Sequence, residues 1–171
     1  RSIEQVVVGE VVEDVVKMFE SVRPPGVGIR CDIEESLRVS ADPSQLRQVL
    51  WNLVLNASEA MPEGGTMQIA AALRADSPPQ EGLDAGRNAA DGPKHARWVE
   101  ISVTDHGTGI APADLERIFD PFFTTKENGS GLGLAAVHRI VEDHGGTVRL
   151  LSRVGEGTTV RLRFLDGEAT Q

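Results

Sequence analysis

Apolar residues recur at helical spacing in three long segments of the chain, and each spacing predicts a helix with one buried face. Asp42 and Pro43 supply the N-cap and the first helical residue of the second segment. The segments run from 8 to 22, from 43 to 61, and from 131 to the glycine pair at 145 and 146, and a shorter helix is predicted from 113 to 119.

Apolar and polar residues alternate in six short segments, as half-buried β-strands require. The last two segments flank a turn from 153 to 157 and predict a hairpin. Combined with the helices, they predict an α+β two-layer sandwich, in which three helices cover one face of a mixed, mostly antiparallel sheet of about five main strands. The alternating segments lie at 27–33, 38–41, 67–73, 99–103, 148–150 and 160–164.

The segment from 75 to 97 has no apolar period and mixes proline, glycine, alanine and charged residues. Its poverty in large apolar residues argues against burial, so it predicts a long mobile loop between two strands. Such a long loop is unusual in a compact domain, and an unrecognised element is the alternative. We expect no domain boundary here, because neither half of the chain looks complete alone.

Composition narrows the class of protein. A chain of 171 residues has the usual size of one domain, and we interpret residues 1–171 as a single domain. Asp and Glu number 26 against 17 Lys and Arg, the formal net charge is -9, and no basic block is present. We therefore expect no nucleic-acid partner.

The single cysteine, Cys31, excludes a disulfide framework and a four-cysteine zinc site. Its place in an alternating segment predicts a small buried hydrophobe. Because no signal peptide begins at Arg1 and the apolar stretches are amphipathic or interrupted by charges, we expect a soluble cytoplasmic domain. The missing initiator methionine indicates a fragment of a longer protein, whose membrane attachment is left open.

Two asparagines on the second predicted helix, Asn52 and Asn56, are four residues apart and so project from one side of it. A carboxamide oxygen is a neutral hard ligand, suited to a Mg²⁺ ion that takes its other oxygens from water and phosphate. Asparagines on a helix surface are more often only solvated. The pair therefore indicates a Mg²⁺ site only in combination with other motifs.

The motif Asp105-His106-Gly107-Thr108-Gly109 follows a predicted strand directly. Its glycines permit close backbone approach, and its carboxylate faces the space beyond the strand end. A buried carboxylate there can accept a hydrogen bond from an exocyclic amine. An ordinary turn is the alternative.

Glycines alternate at Gly129, Gly131 and Gly133, where the third long helix begins. Free amides at a helix start bind anionic oxygens, and glycines leave those amides accessible. The spacing matches neither the P-loop nor the dinucleotide-binding pattern, so those two mechanisms do not apply.

In this order, the motifs resemble the catalytic, ATP-binding domain of bacterial two-component sensor histidine kinases, part of a superfamily with gyrase, a heat-shock chaperone and a mismatch-repair ATPase. The resemblance covers nearly the whole chain and implies the Bergerat ATP-binding fold. It rests on "LRQVLWNLVLNASEAM" as the N box, "DHGTGI" as the G1 box, "IFDPFFTTK" as the F box, "GSGLGL" as the G2 box and "GEGTTVRLRF" as the closing hairpin.

This resemblance implies a role for each motif. Asn56 would coordinate Mg²⁺, Asn52 would support the phosphate side, and Asp105 would read the adenine amino group. Thr158 would join the hydrogen-bond network around adenine. The other residues implied in nucleotide binding are Gly107, Gly109, Ile110, Gly129, Gly131, Leu132 and Gly133.

The segment from 120 to 131 would form an ATP lid, short as in sensor kinases of the nitrogen-regulation type. Phe119, Phe122 and Phe123 would anchor the lid, and Lys126 could reach the γ-phosphate. Plain core packing of the phenylalanines and a merely solvated lysine are the alternatives.

Asn52 bears on the type of reaction. Gyrase-like ATPases and anti-sigma serine kinases resemble each other in carrying glutamate at this position, where it activates water, and an amide cannot take up that proton. The resemblance therefore implies phosphoryl transfer to a histidine on a dimerisation domain absent from this chain, with a response regulator downstream. We expect a monomeric fragment that does not phosphorylate itself. An ATP-binding regulatory module and a gyrase-type ATPase are the alternatives.

Overall fold

The computed structural model describes residues 2–75, 83–86, 97–121, 123 and 133–167. Within these ranges the chain forms eight strands and four helices. In chain order they are β1 (Glu4–Val7), α1 (Val8–Glu20), β2 (Val27–Ile33), β3 (Arg38–Ala41), α2 (Pro43–Glu59), β4 (Gly65–Ala75), β5 (Leu83–Gly86), β6 (Arg97–Asp105), α3 (Pro112–Leu115), α4 (Gly133–Asp143), β7 (Thr147–Arg153) and β8 (Gly157–Leu165).

One layer is a six-stranded sheet in the order β2-β4-β6-β8-β7-β5. β2 runs parallel to β4, and the other neighbouring pairs are antiparallel. Side chains alternate across the sheet: Ile101 and Val103 of β6 are buried, whereas Ser102 between them is partly exposed. The sheet therefore has one covered face and one open face.

The second layer consists of α1, α2 and α4, with α2 in contact with both of the other helices. Their apolar stripes join the covered face of the sheet in one core. This arrangement confirms the predicted two-layer α+β sandwich. No helix in the described ranges is long and apolar enough to cross a membrane.

Capping and side-chain contacts fix α2 relative to α4. Asp42 Oδ1 accepts a hydrogen bond from the Ser44 amide at 2.9 Å, which caps α2 as the sequence predicted. The Asp42 amide donates to His144 Nε2 at 3.2 Å, just beyond the end of α4. The His144 Nδ1 atom lies 2.7 Å from the Ile140 carbonyl oxygen. Because Nε2 accepts a hydrogen bond, the proton of the neutral ring lies on Nδ1 and is donated to Ile140.

Two short strands were absent from the sequence prediction. β1 pairs with β3 in a separate two-stranded sheet, and β5 pairs with β7 at the edge of the main sheet. The segment from 75 to 97 was predicted as a loop, and the strand β5 within it corrects that prediction. Neither sequence, EQVV for β1 nor LDAG for β5, alternates clearly between large apolar and polar residues, so these strands depend on distant partners. The rest of this segment lies outside the described ranges, apart from its end residues.

Two further predictions were wrong. Cys31 is exposed rather than buried, because β2 lies at the edge of the six-stranded sheet, where β4 is its only partner among the described strands. The short helix α3 ends at Leu115, and the residues from 116 to 119 form a turn instead of continuing the helix.

Candidate nucleotide site

The asparagine pair lies where α2 meets the start of α4. Asn52 Nδ2 donates to the Gly133 carbonyl at 3.4 Å. A Cβ atom placed on Gly133 would lie 4.0 Å from Asn56 Nδ2, so both amides are close to this residue. The four-residue spacing thus places the pair beside a helix start, where amides suit anionic oxygens.

Asp105 is the last residue of β6 and is buried, with 6% of its surface exposed. Its Oδ1 atom accepts a hydrogen bond from the Gly107 amide at 2.9 Å, and the Thr158 amide also donates to the carboxylate. Burial raises the pKa of Asp105, and these two amides oppose the rise. Two donors leave part of the acceptor capacity of the carboxylate for a ligand amine.

A tight contact joins the loop after Asp105 to the end of α2. The Thr108 amide donates to the Ala60 carbonyl at 2.9 Å, and a Cβ atom on Gly107 would overlap the same carbonyl. Ala60 lies one turn beyond Asn56, whose carbonyl accepts the Ala60 amide at 3.0 Å. The end of α2 therefore connects the buried carboxylate with the asparagine pair, and glycine at 107 permits this approach.

The same loop packs against the hairpin of β7 and β8. The Gly155 amide donates to the Thr108 carbonyl at 2.9 Å. Gly109 has a φ of 73°, and a Cβ atom there would overlap the Arg153 carbonyl. Gly109 is therefore required both for its backbone conformation and for the space it leaves.

Replacing Gly109 by alanine should destabilise the fold more than the same change at Gly145. Both glycines have a φ of 73°, but a Cβ atom at Gly145 would meet no atom of the described residues within 4 Å. Gly145→Ala should cost about 1–2 kcal/mol for the left-handed backbone alone. Gly109→Ala adds overlap with backbone atoms and should cost about 2 kcal/mol more, measured by urea denaturation. Equal losses would show that the loop moves away from the hairpin at no cost.

The hairpin also supplies a side chain that the sequence analysis missed. Ser152 Oγ accepts from the Ile110 amide at 2.8 Å, donates to the Gly157 carbonyl at 3.1 Å and lies 2.7 Å from Thr158 Oγ1. Ser152 and Thr158 are cross-strand partners, and Thr158 is the partner of Asp105 on its other side. Pairing the predicted hairpin residue by residue would have revealed this neighbour.

Two phenylalanines pack at the entry to the predicted lid. Phe119 packs against the core, and its ring centroid lies 5.5 Å from that of His138 on α4. Phe123 also packs against the core, with the Arg117 guanidinium carbon 4.7 Å from its ring centroid. Core packing is therefore part of what both phenylalanines do.

Several predicted site residues lie outside the described ranges. Their roles remain predictions, as does the extent of the lid from 120 to 131. They are Phe122, Lys126, Gly129, Gly131 and Leu132.

The burial of Asp105 predicts a pH dependence of stability. Its pKa in the folded state lies above the ordinary value of 3.8, so the native state binds this proton at higher pH than the unfolded chain does. The stabilising contribution is fully present below the ordinary pKa and is lost as pH rises through the folded pKa. In urea denaturation, the unfolding free energy of the wild type relative to Asp105→Asn should therefore fall as pH rises from 3.8 toward neutrality.

The control is Asp32→Asn, which removes an exposed carboxylate from β2. The unfolding free energy of the wild type relative to Asp32→Asn should change less with pH than its unfolding free energy relative to Asp105→Asn. A relative stability of the wild type that increases with pH would contradict the assigned direction of the Asp105 shift.

Comparison with known proteins places this fold among ATPase domains. The solved catalytic domain of histidine kinase ThkA superimposes with a TM-score of 0.75 at 30% sequence identity, over 97% of this chain and 97% of that one. The family model described as histidine kinase-, DNA gyrase B-, and HSP90-like ATPase matches residues 41–168. The chain belongs to this family.

Within the family, the chain is homologous to the catalytic ATPase part of sensor histidine kinases. It is 44% identical over 124 residues to the sensor histidine kinase ZraS of Escherichia coli (strain K12), over 72% of this chain and 22% of ZraS. It is 46% identical over 127 residues to the sensor kinase CckA of Brucella abortus (strain 2308), over 72% of this chain and 13% of CckA. The chain thus spans a minor part of the length of both relatives.

Proposed function

We propose that this site binds ATP together with Mg²⁺ and transfers the γ-phosphoryl group to a histidine on a dimerisation domain outside this chain. The observation that carries the proposal is the convergence of three groups along one helix. The asparagine pair of α2 lies beside the start of α4, and the end of α2 contacts the loop that follows Asp105. Family membership supports the same function.

The buried carboxylate of Asp105 is suited to the adenine end of the nucleotide. It lies among backbone amides at the end of β6, where a donor amine from a purine can complete its hydrogen bonds. Burial excludes competing water, so the hydrogen bond discriminates more strongly between bases than it would on the surface. Thr158, with 9% of its surface exposed, borders this carboxylate.

The start of α4 is suited to the phosphate end. Amides at a helix N-terminus attract anionic oxygens, and Gly133 leaves them accessible. Lys126, Gly129, Gly131 and Leu132 would extend this side of the site.

Magnesium fits the donor set of this side. Among the residues that the structure describes, no three His, Cys, Asp or Glu side chains are grouped so as to hold a metal ion. The amide oxygen of Asn56 is the kind of ligand that a hydrated Mg²⁺ accepts when phosphates provide the other oxygens. When bound, the ion would neutralise charge that develops on the phosphates during transfer.

Asn52 favours transfer over hydrolysis. Its amide donates to the Gly133 carbonyl, a hydrogen bond that an ionised glutamate at this position could not make. An amide also cannot take a proton from water. The incoming group is then a histidine nitrogen, which bonds to the γ-phosphorus as the bond to the β-phosphate oxygen breaks and ADP leaves. The imidazole proton passes to a base outside this chain.

A transfer assay tests the proposal. The domain is mixed with labelled ATP, Mg²⁺ and a separately produced dimerisation domain of its full-length protein. We expect label on the dimerisation domain that is lost in acid and stable in base, as a phosphorus–nitrogen bond is, and none when EDTA removes the metal. ATP binding without transfer would favour the regulatory module. Release of inorganic phosphate by the domain alone would favour the gyrase-type ATPase.

A further inference from the structure

Ser152 lies at the end of a row of three side chains on adjacent strands. Asp105 of β6 is the register partner of Thr158 on β8, which is the partner of Ser152 on β7. Asp105 and Thr158 are buried, and Ser152 is partly buried beside them. Because side chains opposite one another share a face of the sheet, all three lie on the covered face at one end of the sheet.

The hydroxyl of Ser152 has one proton and two acceptor sites. The Ile110 amide at 2.8 Å uses one acceptor site, and the Gly157 carbonyl at 3.1 Å can only accept, so it takes the Ser152 proton. The 2.7 Å contact with Thr158 Oγ1 is then satisfied only if Thr158 is the donor. This is the one assignment in which all three contacts are hydrogen bonds.

That assignment fixes what Thr158 presents to the nucleotide site. With its proton held by Ser152, the Thr158 oxygen offers acceptor lone pairs beside the acceptor oxygens of Asp105. Two adjacent acceptors favour a base edge that carries an amine. They disfavour a base edge that carries a carbonyl oxygen, because acceptor atoms would face one another without a proton between them.

The geometry points to Ser152 as a positioning residue for base selection. By holding the Thr158 proton, it makes the site select a 6-aminopurine over a 6-oxopurine, an inference that rests on the proposed nucleotide function. The same hydroxyl holds the Ile110 amide, so it also fixes the loop after β6 against the hairpin. Without Ser152, the Thr158 hydroxyl can turn and donate to a carbonyl.

Calorimetric titration tests this assignment. ADP and IDP, its hypoxanthine counterpart, are each titrated in the presence of Mg²⁺. The ratio of the two dissociation constants is the informative quantity, since general loosening of the site weakens both ligands alike. We expect the wild type to prefer ADP and Ser152→Ala to reduce that preference about tenfold. Ser152→Thr keeps the hydroxyl and should restore the preference.

Two further variants keep the test decisive. Thr158→Val removes the acceptor itself and should also reduce the preference, with no further reduction when Ser152→Ala is added. Thr159→Ala breaks a hydroxyl pair with Thr104 on the open face of the sheet and should leave the preference unchanged.

An unchanged ADP-to-IDP ratio in Ser152→Ala, or an equal loss of both affinities, would overturn the role of Ser152 while leaving nucleotide binding intact. A wild type that binds neither nucleotide would overturn the proposed function as well.

Discussion

Asp105→Asn should abolish measurable binding of adenine nucleotides, with a loss of about a hundredfold or more in affinity. The substitution replaces one carboxylate oxygen by a donor amide, which would face the Thr158 amide or the base amine in a buried site. A buried donor without an acceptor costs more than the loss of a surface hydrogen bond. Calorimetric titration with ATP and Mg²⁺ measures the effect.

The matched control removes the same charge elsewhere. Asp32→Asn changes an exposed carboxylate on β2 and should bind ATP as the wild type does. Unchanged affinity in Asp105→Asn would remove the assignment of this carboxylate to the adenine. Thermal unfolding of both variants separates lost binding from lost structure.

Asn56→Ala should reduce phosphoryl transfer to the dimerisation domain about a hundredfold or more, because Mg²⁺ supplies several kcal/mol of charge stabilisation. The affinity for ADP without Mg²⁺ should change little, since the base contacts remain. Transfer is followed as acid-labile label across a series of Mg²⁺ concentrations.

Gln48→Ala is the control for this experiment, since it removes an exposed amide from the same helix. It should transfer phosphate at the wild-type rate. If Asn56→Ala kept both the wild-type rate and the wild-type dependence on Mg²⁺, the metal would have to be held elsewhere.

Much of the fold followed from periodicity, because long elements carry enough residues to show it. The stripes of α1 and α2 and the alternation in β6 predicted which faces are buried. β1 and β5 were missed because neither EQVV nor LDAG alternates clearly between large apolar and polar residues, and each strand pairs with a distant strand. Cys31 was misplaced because alternation cannot tell an edge strand from a central one.

The sequence identified individual residues of the candidate site but not how the fold brings them together. Residue types and spacing singled out Asn56 and Asp105, but their connection depends on the contact of Gly107 with the Ala60 carbonyl, which no local pattern encodes. Ser152 was missed because a serine in a strand most often has no role in binding or catalysis. Its role can be inferred only from strand pairing, which places its hydroxyl against that of Thr158.

Amide NMR of the domain during titration with Mg²⁺ and ADP follows the adenine end and the phosphate end of the proposed nucleotide site at once. We expect the amides of Asn56, Gly107, Gly133 and Thr158 to shift together and to saturate at one nucleotide per chain, while Ala70 on the open face of the sheet stays in place. Shifts confined to the open face, or to only one of the two ends of the site, would contradict a single nucleotide site formed by these residues.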